Sequence, residues 1–258
     1  MLYKKYFLLP FIFYVAAVSL HAQETVKTPA AKKEITGKFM IVPFEPKMFM
    51  SEIGEKIYTE SKWSFPQVCE FFRHQMDAQL KLKFQSIESP VVTFYIDSTK
   101  TSKDLEYIYK STTIAFDPVE KPTEPTAENK KQSGIKNGQL VVEISNDKKF
   151  TNTKLSNNDL IPYLNKKYQS EYFVFVNELD IRTLNDSYDL ASDSYKREVT
   201  VHYTIMDKNS KLITAGAAVA HFSSKVNDPK KIVALTFSPI ASYIAAKYTA
   251  VTKPKENK

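Results

Sequence analysis

The amino-acid sequence predicts a single α/β domain, in which helices pack on a mixed β-sheet with a C-terminal β-hairpin. Segments with the two-residue period of strands alternate with segments of helical period, an order typical of helices laid on a sheet. The run Tyr172–Val176 is apolar or aromatic at every position, as expected for a strand covered on both faces. Within Glu198–Phe222, apolar and polar residues alternate up to the polar turn DKNSK, and the chain then runs back, which predicts the hairpin.

The remaining elements follow from periodicity and capping. Gly37–Phe44 is predicted to be the first strand, and Ser51 is a candidate cap for a short helix. Ser64 and Gln67 have the spacing of a capping box at the start of a longer amphipathic helix. Further along, the pattern predicts strands at Pro90–Asp97 and Gln139–Ile144, and helices at Thr101–Tyr109, Asn158–Tyr168 and Pro229–Val251.

The first residues, 1–22, have the layout of a secretory signal peptide. Two lysines precede an apolar run, Tyr6–Leu20, and small or polar residues follow. This run is shorter than the roughly 20 residues that a membrane-spanning helix needs. We predict cleavage after Ala22, with Ser19 as the alternative, and export to the periplasm or out of the cell. The lone cysteine, Cys69, lies far from this point, so a lipid anchor of the bacterial type is not expected.

Two polar segments precede and interrupt the predicted domain. Residues 23–36 are predicted to be a flexible leader, and residues 117–138, rich in proline and charge, a disordered insertion. The domain is predicted to span residues 37–251, with a basic tail over 252–258. The formal net charge of +7 is modest and spread along the chain, which favours a solubilising surface over nucleic-acid binding.

The composition argues against most enzyme classes. Loops that cradle phosphate or sharpen a nucleophile need glycine, because bare backbone must approach the ligand. The chain has only five glycines, none of them spaced as in a phosphate loop or a dinucleotide fingerprint, and it has no G-x-S-x-G elbow. We therefore predict a protein that is not an enzyme and needs no cofactor.

Side chains suited to metal binding or hydrolysis also lack a recognisable spacing. His202 and His221 share the hairpin but are predicted to lie about five positions apart, too far to share one metal ion. Cys69 falls on the apolar face of its helix and is predicted to be a small buried hydrophobe. Acidic residues cluster between Asp180 and Glu198. The pattern predicts a solvated loop there, and a hydrolase that uses this acidic loop is an alternative function.

Three stretches resemble one known family. The stretch FMIVPFEP resembles the first strand of the family that includes the N-terminal domain of TolB, the curli secretion protein CsgG and the lipoprotein activators of penicillin-binding proteins. SEYFVFVNELDI is similar to a later strand of that family, and VTVHYTIMDKNSKLITAGAAV is similar to its hairpin. The resemblance covers roughly Lys38–Thr249. It implies a non-enzymatic module of the cell envelope that works by binding other proteins.

The residues and the resemblance together predict an exported interaction protein of the bacterial cell envelope, with other envelope proteins as partners. One candidate contact surface is the segment after the first strand, because methionine and phenylalanine suit adaptable apolar contacts. The edge of the hairpin is another. The candidate contact residues in the segment are Met48, Phe49, Met50 and Ile53. A third possible function is a small-ligand carrier with a pocket lined by Tyr172, Phe173 and Phe175.

Overall fold

A computed structural model of the protein describes residues 37–87, 89–94, 98–118, 135–136, 139–140 and 149–252. The predicted signal peptide and leader lie outside the described residues, as does the tail beyond Thr252. Of the predicted insertion, Asp117 and Pro118 end a strand, and Ile135–Lys136 pairs with Gln139–Leu140 in a short ladder. The rest of that segment is outside the described residues.

The strands are β1 (Phe39–Val42), β2 (Phe49–Ser51), β3 (Val91–Thr93), β4 (Thr112–Pro118), β5 (Ile135–Lys136), β6 (Gln139–Leu140), β7 (Lys149–Leu155), β8 (Tyr172–Asp189), β9 (Ser194–Asp207) and β10 (Leu212–Ser223). The helices are α1 (Gly54–Ser61), α2 (Phe65–Gln85), α3 (Ser98–Lys110), α4 (Leu160–Tyr168) and α5 (Pro229–Thr252), with a 3-10 turn at Pro46–Met48. None of the helices in the described part of the chain has the length and apolarity that crossing a bilayer requires.

Six strands form one mixed sheet, which confirms the predicted fold class. The strand order is β10-β9-β8-β1-β3, and β2 pairs with β8 farther along that strand. β1 is parallel to both of its neighbours, with Phe39 opposite Val91 on one side and Tyr172 on the other. β8, β9 and β10 are antiparallel. Because β1 is covered on both faces, all four of its residues are buried and apolar.

A bulge at Asn177 keeps the apolar residues of β8 on one face. Val176 and Glu178 face two consecutive residues of β9, so Asn177 between them has no facing residue. A bulge shifts the alternation of side chains by one position. Leu179 and Ile181, after the bulge, therefore lie on the same face as Val176 before it, and both are buried.

The helices α2 and α5 cover that face of the sheet. α2 begins with the predicted capping box, in which Ser64 N donates to Gln67 Oε1 (2.8 Å). The core beneath the two helices is rich in aromatic rings. The centroid of Phe39 lies 4.5 Å from that of Phe84 and 4.9 Å from that of Tyr248. We call this side of the sheet the helix face.

The opposite side of the sheet is covered in two parts. Near β1 and the start of β8, apolar residues of α3 and α4, such as Ile108 and Leu164, pack on Met40 and Phe173. Farther along, the antiparallel pair of β4 and β7 lies across β8, β9 and β10. We call this pair the ribbon, and the part of the sheet that it covers the ribbon face.

The ribbon is attached through polar side chains of the sheet. Thr151 N donates to His202 Nδ1 (2.9 Å), and Thr153 N donates to Thr204 Oγ1 (3.0 Å). Asn177 Nδ2 donates to Thr151 O (2.6 Å). β7 pairs with β4 along one edge, and these bonds satisfy backbone groups along its other edge.

Candidate functional site

β10 is the last strand of the sheet, and its backbone groups alternate in direction. Ser224 N donates to Tyr195 O (2.9 Å) beside the facing pair Ser223–Lys196. Facing pairs in an antiparallel ladder alternate between pairs that exchange backbone hydrogen bonds and pairs that do not, so Ser223–Lys196 is a pair of the second kind. Counting back from Ser223, every second residue of β10 also belongs to a pair without such bonds. Its N–H and C=O therefore point away from β9. The residues with both groups pointing outwards are Ala215, Ala217, Val219 and His221.

Nothing in the described part of the chain pairs with this outer edge of β10. Edge strands in native proteins are commonly protected by lysine, proline or a charged side chain, which prevent pairing with another chain. From Leu212 to Ser223, β10 contains no Lys, Arg, Asp, Glu or Pro. Its edge is therefore a template on which a further strand can pair. Of the outward residues, Val219 and His221 are exposed.

The outer side of α5 borders this edge and, from Ala234 onwards, is almost free of charge. Phe237 and Tyr248 of α5 contact Phe72 and Phe84 of α2, and most of the exposed positions lie about half a turn away from them. Lys247 is the one charged residue among the exposed positions between Ala234 and Val251. Those positions are Ala234, Leu235, Pro239, Ser242, Tyr243, Ala246, Lys247, Ala250 and Val251.

Tyr243 links the outer side of α5 to β10. Burial and, less strongly, the nearby Tyr243 raise the pKa of Tyr203 on β9 to about 12, and a hydrogen bond with Thr214 offsets part of this shift. A Cβ atom at Gly216, which faces Tyr203 from β10, would lie 3.5 Å from the Tyr203 hydroxyl oxygen. α5 thus lies close to β10 at Gly216, where the strand has no side chain. We call the outward edge of β10 and the exposed positions of α5 between Ala234 and Val251 together the edge surface.

The four predicted contact residues do not form one exposed patch. Phe49 and Ile53 belong to the core under the helices, and Met48 is half-buried against the same core. Met50 is 48% exposed. The segment contributes more to packing than to the surface, and partner binding through it stays a prediction. The alternation of the short β2 strand places Phe49 inwards and Met50 outwards, which the sequence did not reveal.

The acidic segment is a strand pair, so the predicted solvated loop is wrong. β8 continues to Asp189 and β9 begins at Ser194, because the two strands pair without interruption from Glu178 to Leu184 and, after a second irregularity, pair again at Asp189–Ser194. At the tip, Ala191 N donates to Asp189 Oδ1 (3.0 Å), and the Tyr188 hydroxyl donates to Asp193 Oδ1 (2.6 Å). These two carboxylates therefore stabilise the turn.

Glu178, Asp180 and Glu198 lie on the ribbon face, in one row with Arg182. Arg182 Nε donates to Glu198 Oε1 (2.6 Å), and His221 Nε2 lies 3.4 Å from Glu198 Oε2. Burial raises the pKa values of Glu178 and Asp180, and the charge of Asp180 adds to the shift of Glu178. The predicted acidic cluster is thus divided: two of its carboxylates stabilise the turn, and others lie in a row of charged side chains on the ribbon face.

His202 and Cys69 are accounted for by packing. His202 faces Ala217 rather than Gly216, which it would face in a regular hairpin closed by Asp207 and Lys211, because β10 has a bulge between Leu212 and Thr214. In the described part of the chain, no three acidic, histidine or cysteine side chains are placed to hold a metal ion together. Cys69 is buried, and burial raises the pKa of its thiol.

A cleft of about 380 Å³ opens at the carboxyl end of β1. Pro43, Tyr109, Phe175 and Asn177 are among the residues that line it. Of the residues predicted to line a ligand pocket, Phe175 does so here, whereas Phe173 is in the core and Tyr172 borders a separate cleft of about 520 Å³ beside the β9–β10 turn.

Comparison with known proteins gives distant likenesses. No family model and no curated protein matches the chain. Among solved structures, the chain is similar to a lipoprotein from Neisseria meningitidis, at 9% identity and a TM-score of 0.33, over 81% of this chain and 99% of that one. It is also similar to a hypothetical protein from Chlamydia trachomatis, at 12% identity and a TM-score of 0.38, over 83% and 99%. Membership in the family of TolB and CsgG stays a prediction.

Proposed function

We propose that the chain is a non-enzymatic interaction module of the bacterial cell envelope, and that it binds by pairing β10 with an extended strand of another polypeptide. The edge of β10, with which nothing in the described part of the chain pairs, is the observation that carries the proposal. When a strand is added to a sheet edge, backbone hydrogen bonds supply affinity and the flanking side chains supply specificity. The four outward residues of β10 offer an unbroken row of such groups.

The outer side of α5 supports the same proposal. A bound strand on β10 would lie beside exposed apolar groups of α5, among them Leu235 and Tyr243, which are 52% and 44% exposed. Aromatic side chains and a low content of charge are characteristic of the centres of protein–protein interfaces. Between Ala234 and Val251, Lys247 is the one charged residue among the exposed positions, which leaves this part of α5 poorly suited to a highly charged partner such as nucleic acid.

Export to the envelope rests on the signal-like sequence at residues 1–22. The proposal requires mature chain to be recovered from the periplasmic or extracellular fraction, shortened by the signal sequence. Recovery of full-length chain from the cytoplasm would contradict the envelope part of the proposal and leave the binding surface untouched.

The binding surface is tested by photo-crosslinking in intact cells. A photoreactive phenylalanine analogue is placed at Val219 on the outward edge, and in a control variant at Leu82, which is 58% exposed on α2. We expect a discrete covalent adduct with a protein from position 219 and none from position 82. The proposal fails if neither position gives an adduct, or if both give the same set.

The cleft at the end of β1 favours small-ligand binding as a second candidate function. Its volume falls within the range of ligand pockets, and it opens where β1 meets parallel strands on both sides, a place where α/β folds commonly bind ligands. Native mass spectrometry of the chain purified from its own cells would detect a bound small molecule. A mass equal to that of the polypeptide alone would remove this candidate.

A further inference from the structure

We propose that a second copy of this chain occupies the edge surface, with the two β10 strands antiparallel about a two-fold axis at Ala218. This inference rests on the proposed function and names one partner for it. It follows from the positions of the outward residues, from the side chains that would face each other and from the lack of charge on both elements of the surface.

The outward residues are placed symmetrically about Ala218. In an antiparallel pair centred there, Ala217 faces Val219 of the second copy, and Ala215 faces His221 of the second copy. Each facing pair of this type exchanges two backbone hydrogen bonds. If the axis lay one residue earlier or later, at least one of the four outward residues would not face an outward residue of the second copy. Ser223 cannot extend the row, because its C=O already accepts a bond from Val226 N (3.0 Å).

The side chains that would face each other are complementary in size. Among the outward residues, Val219 and His221 have the larger side chains, and each faces an alanine of the second copy. On the helix-face side of the strand, Gly216 would face Ala220 of the second copy. Small groups opposite larger ones allow close approach without a clash across the pair.

Charge also favours a second copy. Two identical surfaces can meet only if like charges do not oppose each other, and charged residues make up 25% of this chain. β10 has no Lys, Arg, Asp or Glu, and the exposed positions of α5 between Ala234 and Val251 have only Lys247, since the other two exposed lysines, Lys230 and Lys231, lie at the start of the helix. A partner strand rich in acidic or basic groups would find no opposite charge on this edge, whereas an identical uncharged strand meets no repulsion.

The size of the contact sets the expected strength. Residues Ala215–His221 span about 23 Å at strand rise, and the two α5 helices lie beside them on one side of the joined sheet. Together these elements would bury on the order of 1,000 Å² in total, at the lower end for specific interfaces. We therefore expect a dimer that dissociates on dilution.

Disulfide trapping tests the register. Two single variants, Ala217→Cys and Val219→Cys, are made in a Cys69→Ala background, purified separately and oxidised either alone or as a mixture. In the proposed pair, position 217 faces position 219 of the second copy at a Cα separation of about 5.5 Å, which a disulfide can bridge. Two copies of one variant would place their cysteines about 8 Å apart, beyond that reach.

We expect a linked dimer from the mixture, and several-fold less from either variant alone. Linking that is absent, or equally efficient in all three samples, overturns the register.

A matched pair of variants tests the dimer without cysteines. Val219→Pro removes an outward N–H, whereas Val219→Thr keeps it. Sedimentation at about 100 µM, a concentration within the range of weak interfaces, should give dimers for the wild type and Val219→Thr and monomers for Val219→Pro. A monomeric wild type overturns the proposal.

Failure here is distinguishable from failure of the proposed function. If the photo-adduct from Val219 contains a different protein, and oxidation of the mixture yields no linked dimer, strand pairing at β10 holds and the second copy is excluded. If the Val219 adduct has twice the mass of the chain, both proposals are supported.

Discussion

On the helix face of the central sheet, α2 and α5 bury aromatic rings, whereas on the ribbon face β7 is attached through hydrogen bonds from sheet side chains to its backbone. The Phe39 ring touches rings from both covering helices. By contrast, His202 and Thr204 each accept a backbone N–H of β7. One face relies on the removal of apolar surface from water, and the other on directional bonds between buried polar groups.

This difference determines how each face responds to change. Apolar burial is non-directional and contributes in proportion to area, so the helix face should lose stability whenever volume is removed from it. A buried polar network depends on every donor and acceptor, and a single change of protonation can leave a partner unsatisfied. We therefore expect the helix face to be sensitive to truncation and the ribbon face to be sensitive to pH.

The largest effect is expected from truncating the centre of the helix face. Phe39→Ala removes a fully buried ring that contacts three others. The loss of transfer energy and the cavity left behind should lower the free energy of unfolding by about 3–5 kcal/mol, measured by urea denaturation. In the matched control, Leu82→Ala, the side chain is mostly exposed, and the change should stay within about 0.5 kcal/mol. Similar losses in both variants would contradict the division between core and surface.

The helix face is also the part that the sequence predicted well. The apolar stripe along α2, which begins at the capping box of Ser64, follows a simple period. That period directly reflects which side of an element is buried. The hairpin turn was predicted for the same reason, with Asp207 N donating to Lys211 O (3.0 Å) where the turn was expected.

The ribbon face was not predictable in the same way. β7 reads KFTNTKL, and four of its seven residues are buried although three of those four are polar. The hydrogen bonds that satisfy them come from residues about 25 and 50 positions away in sequence, and no local period records such distant partners. The exposed side of α5 was missed for a related reason. A helix that is apolar over most of its circumference gives a weak periodic signal, so its buried and exposed sides are hard to tell apart.

A smaller effect, confined to the ribbon face, is expected from acid. Burial, together with the nearby Arg182, lowers the pKa of His202 to about 4. Because the folded-state pKa is below the ordinary value of about 6.5, the neutral imidazole stabilises the fold above pH 6.5, and this contribution is lost as the pH falls through 4. Protonation of Nδ1 would also remove the acceptor for Thr151 N. We expect a loss of up to about 3 kcal/mol between pH 6.5 and 4.

His202→Gln separates this contribution from other acid effects. The glutamine does not titrate, so its unfolding free energy should fall less steeply than that of the wild type over the same interval. Hydrogen exchange at the Thr151 amide should speed up with acid in the wild type relative to amides beneath α5. Parallel pH profiles for the two proteins would show that His202 is not responsible.

The smallest expected effect has the opposite sign and lies under α2. Asp77 is fully buried there, and within the described part of the chain neither of its carboxylate oxygens has a hydrogen-bond partner. Burial raises its pKa well above the usual range, and Arg73, one turn earlier, offsets only part of that shift. A carboxyl whose folded-state pKa is raised stabilises the fold below the unfolded-state pKa, near 4, and this contribution is lost as the pH rises through the folded-state pKa.

Asp77→Asn in a His202→Gln background should remove this dependence. Between pH 4 and pH 8, the unfolding free energy of the His202→Gln protein should decline relative to that of the double variant, by about 1 kcal/mol. Glu60→Gln, at an exposed position of α1, serves as a control and should leave the profile unchanged. Acid would then weaken the ribbon face while relieving the buried Asp77 carboxyl of α2, because the ribbon face depends on a neutral acceptor and Asp77 is a buried acid. A double variant that follows its parent across the whole interval would mean that Asp77 stays ionised and is satisfied by Arg73.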